Sequence, residues 1–407
     1  MKILHTADWH LGKRLDRYSR LEEQRAVLDE LIVLADENEV DVVLVAGDLF
    51  DAFNPAAEAV ELLYKSLKRL ANNGERAIIA IAGNHDSPDR IDAPDVLARE
   101  CGIVFIGYPQ AEIIEGELCG GFRITRSEPG FLELQVPKYD YPLRLLLTPY
   151  ANEYRLKTFL GVDNGEEELR NMLGAFWQRL ATKYCDDLGV NILMAHLFVM
   201  KRGEVPPEEP VDEKPILHIG GAQAIYSDNI PKTLQYVALG HLHRYQEIDK
   251  ARMPIVYSSS LLSYSFAEAE QRKNVVLIEA EPAKAVHFQK LTLKTGKPLY
   301  RKRFEGISGA LEWLNNCGPA WIELTMVSED FMNAEDRKRL LLAHEGIVTI
   351  IPEVKNRGSL PDEGRTIDLS QSVEELFIQY FSFRNGQQPN ADLITLFKEV
   401  RAEQIDE

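Results

Sequence analysis

The chain has 407 residues and a formal net charge of −18, with 45% hydrophobic and 27% charged residues. This length is too great for one compact core and predicts two or three domains. A protein that binds DNA unaided normally carries a basic surface. Either nucleic acid is therefore not the substrate, or a basic partner and bound cations supply most of the attraction.

The residue pattern also indicates the compartment. No apolar stretch approaches the roughly 18 residues of a membrane span, and the opening MKILHTADWH carries a histidine and an aspartate where a signal peptide would be apolar. The four cysteines lack C-x-x-C spacing, which argues against a zinc knuckle and predicts reduced thiols at Cys101, Cys119, Cys185 and Cys317. We expect a soluble, cytoplasmic protein without a membrane partner.

Residues 1–281 predict a layered α/β sandwich, because short β-branched runs alternate with helical periodicity. The predicted strands cover residues 1–6, 40–47, 76–83, 102–107, 143–150, 189–196, 234–241 and 253–259. The predicted helices cover residues 20–39, 56–72 and 166–187. The segment 201–215 is rich in Pro and Glu and predicts a surface loop inside this domain.

The pattern changes after residue 281. Residues 282–354 predict a small α+β domain with strands near 286–294, 320–327 and 346–354 and helices near 308–316 and 333–344. Residues 355–369 read as a linker. Residues 370–407 predict two amphipathic helices, at 372–383 and 391–403, the first opening on a capping box formed by Ser372 and Glu375. Such helices either pack on the parent domain or dock on a partner.

Polar clusters stand where the predicted strands end, in HTADWH, GDLFD, GNHD, AH and GHLH. Carboxyl ends of parallel strands meet at one edge of a sheet, so these side chains should converge. The expected metal ligands are Asp8, His10, Asp48, Asn84, His196, His241 and His243. Imidazole, carboxylate and one amide oxygen suit Mn²⁺, Fe²⁺ or Zn²⁺, and seven ligands suit two ions. Each motif alone is more often a turn or a core pair; the ordered set favours metal binding. His5, His218, His287 and His344 lack this setting and are expected to be structural or surface residues.

Taken together, D-x-H, G-D-x-x-D, G-N-H-D, the isolated His196 and G-H-x-H resemble the signature of the calcineurin-like metallophosphoesterases. Within that family, ILHTADWHLGK, AGDLFD, VALGHLHR and YSSSLLSYSF resemble the bacterial nuclease subunits that work with a coiled-coil ATPase. The resemblance is specific over residues 1–270. One departure is Ser259, where a glycine is expected.

The resemblance implies a fold, a cofactor and a reaction. It implies a β-sandwich nuclease domain with a small capping domain and a helical tail, and two Mn²⁺ ions bridged by Asp48. Asp8, His10 and His243 would complete one ion's shell, and Asn84, His196 and His241 the other's. It implies a DNA nuclease for repair, recombination and replication, an exonuclease on duplex ends and an endonuclease on single strands or hairpins. The partners would be DNA and the ATPase, bound through the C-terminal helices, with a homodimer inside a heterotetramer.

Further residues beside the ligands have expected roles. His85 should contact the phosphate and protonate or stabilise the leaving sugar oxygen. Asp51 should accept a hydrogen bond from His85 or from a ligand histidine, or else cap a turn ahead of Pro55. Lys13, Arg14 and Arg90 are candidate DNA contacts, although isolated basic residues on loops are usually only solvated. Two other functions remain open at this stage, a small-substrate phosphodiesterase or phosphatase and a non-catalytic scaffold.

Overall fold

The computed structural model describes residues 1–156, 165–204, 224–249, 252–328, 332–354 and 373–385, together with residues 389, 394 and 397. The chain divides into two compact units, Met1–Glu353 and Val354–Glu407. The predicted linker at 355–369, most of the predicted helix at 391–403 and His218 lie outside the described residues. No helix among the described residues is long and apolar enough to cross a membrane.

Strands dominate the first unit. In chain order they are β1 (Lys2–Thr6), β2 (Arg14–Leu15), β3 (Tyr18–Ser19), β4 (Val42–Ala46), β5 (Ala77–Ile81), β6 (Ile103–Ile106), β7 (Gly116–Glu117), β8 (Arg123–Glu128), β9 (Phe131–Gln135), β10 (Pro142–Thr148), β11 (Val190–His196), β12 (Val199–Met200), β13 (Ile225–Tyr226), β14 (Tyr236–Gly240), β15 (Gln246–Glu247), β16 (Ile255–Tyr257), β17 (Asn274–Glu279), β18 (His287–Thr292), β19 (Leu299–Glu305), β20 (Trp321–Ser328) and β21 (Ile347–Val354).

The helices connect and cover these strands. They are α1 (Leu21–Glu37), α2 (Ala57–Leu70), α3 (Pro88–Asp92), α4 (Asp95–Arg99), α5 (Glu153–Leu156), α6 (Gly165–Tyr184), α7 (Ile307–Asn316), α8 (Ala334–Ala343) and α9 (Val373–Asn385).

Two large sheets form the frame of the first unit. The first has the strand order β18-β17-β1-β4-β5-β6, with β1, β4, β5 and β6 parallel and β17 antiparallel to both of its neighbours. The second has the order β15-β16-β14-β11-β10-β9-β8-β7, with a parallel centre from β16 to β10. Each sheet therefore presents the carboxyl ends of several parallel strands along one edge.

The core lies between the two sheets, and the helices cover their outer faces. Along β4, Val42 and Leu44 join the core between the sheets, whereas Val43 and Val45 pack against α1 and α2. On the second sheet, Trp177 of α6 belongs to the outer cluster. Because helices bury the outer faces as well, the central strands are apolar on both sides, which explains the continuous run VVLVA. The predicted α/β sandwich is confirmed.

A hairpin and a short outer strand of the second sheet are absent from the sequence prediction. β8 and β9 pair in antiparallel register around Pro129 and Gly130, and β7 adds to their edge. Exposed and buried residues alternate imperfectly along β8, so its period is weak. The Pro129-Gly130 pair between two strand-like runs is a turn signal from which this hairpin could have been predicted.

The strand predicted near 286–294 is β18, and it pairs with β17 in the first sheet. The predicted boundary at residue 281 therefore separates two paired strands of one sheet. The intervening residues resemble a linker in composition, and only pairing reveals the hairpin. The small three-stranded sheet has the order β19-β20-β21 and begins at Leu299, a strand that the sequence prediction missed.

The small sheet is joined to the rest of the first unit through Trp321. Its indole Nε1 donates to Glu23 Oε1 at 2.8 Å, and its ring lies 4.8 Å from that of Tyr18. Glu23 also accepts from the main-chain nitrogen of Lys297 at 2.7 Å. The small sheet with α7 and α8 is thus anchored to the start of α1. In the second unit, Phe377 of α9 stacks on Phe397, with ring centroids 4.1 Å apart.

Candidate metal centre

The loops that follow five strands meet at one place. The structure brings together all seven predicted ligands: Asp8 and His10 after β1, Asp48 after β4, Asn84 after β5, His196 at the end of β11, and His241 and His243 after β14. Both sheets contribute, so the site lies where their carboxyl edges adjoin.

Backbone strain marks these strand ends. Asp8, His10 and Asp48 have φ angles of +53°, +44° and +50°, and His241 has +105°. Residues other than glycine rarely adopt such φ angles, and the strained backbone at each position costs of order 1–3 kcal/mol. The strained turns direct the ligand side chains back over the strand ends, which indicates a functional site.

Glycines let the strand ends approach closely. A Cβ atom on Gly83 would overlap Asp48 Oδ1, and one on Gly240 would overlap the main-chain oxygen of Ala46. The G-N and G-H dipeptides of the motifs therefore have a physical cause, which is the close contact between neighbouring ligand loops.

The first group of ligands contains Asp8, His10 and His243. The Nε2 atoms of the two histidines lie 3.0 Å apart, and ligand atoms of all three residues lie within 4.8 Å of one another. Two imidazole nitrogens that face each other at this distance require a proton or a cation between them.

The second group contains Asn84, His196 and His241. Asn84 Oδ1 lies 2.9 Å from His196 Nε2 and 3.0 Å from His241 Nδ1. Asp48 stands between the groups, because its Oδ2 lies 3.4 Å from His10 Nε2 and 3.5 Å from His196 Nε2. Its other oxygen accepts from the main-chain nitrogen of His85 at 2.8 Å.

Burial determines the charge of two of the histidines. It lowers the pKa of His10 to about 4 and that of His241 to about 3, so both rings are neutral at pH 7 and offer lone pairs. His241 Nε2 is buried and has no hydrogen-bond partner among the described residues. The neutral rings of His10 and His241, two buried carboxylates and an unpaired nitrogen fit a pair of divalent cations.

His85 and Asp51 lie beside the first group. His85 Nδ1 lies 2.7 Å from the main-chain oxygen of Asp51, and the rings of His85 and His10 are 4.8 Å apart. The Asp51 carboxylate faces His10, with Oδ1 at 3.6 Å from Nδ1. Asp51 is not the N-cap of α2, since Ala56 occupies that position; a role of Asp51 in the turn ahead of Pro55 stays an alternative prediction.

The candidate DNA contacts differ in their surroundings. Lys13 Nζ lies 2.8 Å from Asp51 Oδ1, so its charge is already paired. Arg14 donates to the main-chain oxygen of Arg17, and Arg90 donates to Asn54 at 3.3 Å on the surface. His5 is a buried core residue whose ring nitrogens contact the Tyr236 hydroxyl group and the main-chain oxygen of Leu239.

Sequence reasoning missed several residues that hold the ligand loops. Arg155 donates to the main-chain oxygens of Gly83 and Asp86, each at 2.7 Å. Asp86 accepts from three main-chain nitrogens, those of Leu49, Phe50 and Gly83. Asp86 is the last residue of the GNHD motif and could have been found from the sequence. No sequence pattern indicates the role of Arg155.

Ser259 occupies a position that favours glycine. Its φ angle is +90°, which explains why a glycine is expected there. Its Oγ accepts from the main-chain nitrogen of Asn274 at 2.9 Å. This hydrogen bond offsets part of the backbone cost.

Comparison with known proteins agrees with this geometry. The family model described as calcineurin-like phosphoesterase matches residues 1–245. The SbcD subunit of the nuclease SbcCD from Bacillus subtilis is 35% identical over 408 residues, which cover 98% of this chain and 97% of that protein. The chain belongs to the SbcD family of calcineurin-like phosphoesterases.

A second SbcD relative, from Rhodobacter capsulatus, is 34% identical over 284 residues, 69% of this chain and 66% of that protein. Among solved structures, a dimetal phosphatase from Danio rerio matches 73% of this chain and 99% of its own, with 12% identity and a TM-score of 0.40. The predicted membership of the calcineurin-like family is confirmed, and the SbcD match extends it over nearly the whole chain.

Proposed function

We propose that this chain is a metal-dependent DNA nuclease subunit that processes DNA ends in the cytoplasm together with an SbcC-type ATPase. The observation that carries the proposal is the place of Asp48, whose Oδ2 lies within 3.5 Å of a histidine from each ligand group. A carboxylate shared by two groups of ligands suits a phosphodiesterase with two cations.

The residues that would hold the cations form the two groups already described. Asp8, His10 and His243 would hold one, Asn84, His196 and His241 the other, and Asp48 both. When bound, the two cations, which we propose to be Mn²⁺, would favour ionisation of a water molecule and offset charge on the phosphate. The buried Asp8 and Asp48 supply the negative charge that attracts them.

His85 is the proposed catalytic residue outside the ligand set. The contact of its Nδ1 with a carbonyl oxygen places the ring proton on Nδ1. Its Nε2 would then carry a second proton, and the charged ring would pass that proton to the leaving sugar oxygen. Its main-chain nitrogen is bound to Asp48, so the ring has a fixed position relative to the ligands.

The proposed substrates are duplex DNA ends for the exonuclease and single strands or hairpins for the endonuclease. The relatives are named as subunits of SbcCD, and a basic ATPase partner would compensate for the net charge of −18. We propose that α9 and the residues after it dock on the coiled coil of that partner. We also propose a homodimer of this chain within a heterotetramer.

The test of the activity uses the purified full chain with Mn²⁺ and a linear duplex. We expect nucleotide release that stops on chelation and in Asn84→Ala. A protein that hydrolyses only a cyclic nucleotide or a phosphomonoester would contradict the proposed substrate.

The test of the partner is co-purification with the ATPase. Deletion of residues 370–407 should abolish co-purification and leave metal binding unchanged. Equal recovery of the ATPase with the shortened chain would contradict docking through this segment.

A further inference from the structure

The two histidines of the first group share an unusual environment behind their rings. His10 Nε2 faces the site, while its Nδ1 faces the Asp51 carboxylate, which in turn contacts Lys13. The ring, the carboxylate and the ammonium group thus form a row that leads away from the site.

His243 has the same arrangement with different residues. Its Nε2 faces His10, and its Nδ1 lies 3.3 Å from Glu268 Oε1. Glu268 forms an ion pair with Lys273, and the ammonium group of Lys273 also donates to the main-chain oxygen of His243 at 2.8 Å. Glu268 and Lys273 are only 3% and 6% exposed.

Further contacts fix the Glu268 carboxylate. Oε1 accepts from the main-chain nitrogen of Tyr264 at 3.2 Å, and Oε2 lies 3.5 Å from Ser260 Oγ. A buried ion pair contributes little net stability, because desolvation of both charges offsets their attraction. Glu268 and Lys273 both contact His243, so orientation of this histidine explains the buried pair better than stability does.

The histidines of the second group lack such carboxylates among the described residues. His196 Nδ1 lies 2.8 Å from the main-chain oxygen of Ala46, and His241 Nδ1 contacts the Asn84 amide. The carboxylate of Asp8 does not distinguish the groups, because it lies within 4.8 Å of ligand atoms of Asp48 and His196 as well as of His10 and His243. The difference between the groups is therefore the carboxylate that faces the Nδ1 atom of each histidine of the first group.

We propose that Glu268, held by Lys273, is a positioning residue for His243 and that it makes the Asp8, His10 and His243 site the tighter of two cation sites. The inference rests on the proposed metal centre. Glu268 accepts the Nδ1 proton of His243, which leaves the Nε2 lone pair toward the site and raises its basicity. Asp51 faces His10 Nδ1 at 3.6 Å, which is too far for a hydrogen bond, so it acts on His10 through its charge only.

The experiment is a titration of the metal-free full chain with Mn²⁺. Calorimetry measures the affinity of each step, and electron paramagnetic resonance detects spin coupling between bound ions. The wild-type chain should bind two ions in two steps, and spin coupling between ions should appear only with the second. Asn84→Ala should remove the weaker step and keep the tighter one. Glu268→Gln should weaken the tighter step about 10- to 100-fold and leave the weaker step unchanged.

A matched control and a second variant separate positioning from folding. Glu270 lies two residues further on, is exposed and pairs with Lys302, so Glu270→Gln should change neither step. Glu268→Gln leaves the Lys273 charge buried without its partner and could unfold the chain. The double variant with Lys273→Met removes both charges, and it should remain folded on thermal unfolding while showing the same weakened step.

The outcomes distinguish this inference from the proposed function. A wild-type chain that binds no Mn²⁺ would overturn the metal centre itself. Two ions with equal affinity, or an unchanged tighter step in both folded Glu268 variants, would overturn the inference and leave the nuclease proposal standing.

Discussion

The Nδ1 atom of His85 lies 2.7 Å from the main-chain oxygen of Asp51, so the backbone of this loop orients the ring. The Asp51 side chain points instead toward His10 and Lys13. One residue thus serves two histidines, one through its carbonyl group and the other through its carboxylate. Substitution of the Asp51 side chain should therefore leave the orientation of His85 unchanged.

His85→Ala should lower DNA turnover about 10²- to 10⁴-fold, the usual contribution of a general acid, without loss of bound Mn²⁺. The reason is that its Nε2 is free to carry a proton, whereas it is not required as a ligand. Steady-state nuclease assays with parallel metal analysis test this. His287→Ala, at an exposed position on β18, is the control. Loss of metal together with activity would assign His85 to the ligand set.

Asp48→Asn and Asp51→Asn should differ at saturating Mn²⁺. Asp48 adjoins histidines of both groups, so its loss should release both ions. Asp51 stands behind His10, so both ions should remain bound while turnover falls. Elemental analysis and turnover measured on the same samples decide between them. If both variants lose metal alike, the assigned division between the two aspartates is wrong.

Gly83→Ala should lower the stability by about 1–3 kcal/mol and disrupt the site, because the added methyl group overlaps Asp48 Oδ1. Gly318→Ala is the matched control, since nothing lies within 4 Å of its added Cβ. Denaturant unfolding and Mn²⁺ binding of the two variants test the close approach. Equal stability of Gly83→Ala and the wild-type chain would contradict it.

Arg155→Met should destabilise the chain by about 2–4 kcal/mol, because buried carbonyl oxygens of Gly83 and Asp86 lose their donor. Turnover should also fall, since the loop that carries Asn84 and His85 is released. Arg179→Met removes an exposed pair with Glu128 and should cost at most about 1 kcal/mol. Comparable losses in the two variants, measured in urea, would show that Arg155 has no special role.

Acid should lower the free energy of unfolding, partly because His5 binds a proton only in the unfolded chain. Burial lowers its pKa to about 3 in the folded chain, whereas the unfolded residue titrates near its usual 6.5. Below pH 6.5 His5 is protonated in the unfolded state and stays neutral in the folded state, so stability falls as the pH drops toward 3. At pH 4.5 this effect is about 2–3 kcal/mol. The metal-free His5→Gln variant should lose less stability than wild type between pH 7 and pH 4.5, and parallel losses would contradict the assignment.

The convergence of the seven candidate ligands could be predicted from the sequence because their motifs follow apolar runs. Asp8, Asp48 and Asn84 needed only the rule that parallel strands end at a common edge. Glu268, Lys273 and Arg155 could not be found in this way. The ligand loops that they contact are 25 or more residues distant along the chain, and their roles depend on loop packing that no local pattern encodes.

The pairing of the strands on either side of residue 281 could not be predicted from the sequence. β18 resembles the start of a new domain because the preceding residues are polar and contain Pro282, yet it pairs with β17. Strand pairing depends on hydrogen bonds to a neighbour, and composition does not report it. The bounds of the long helices differ from the predicted ones by three residues or fewer, since the helical period reports burial directly.

The most direct test of the central proposal is anomalous diffraction at the manganese edge from crystals grown with Mn²⁺. Two peaks should appear, one among Asp8, His10 and His243 and the other among Asn84, His196 and His241, with the Asp48 carboxylate between them. Absence of both peaks, or a single peak away from Asp48, would contradict the two-cation centre on which the proposed nuclease rests.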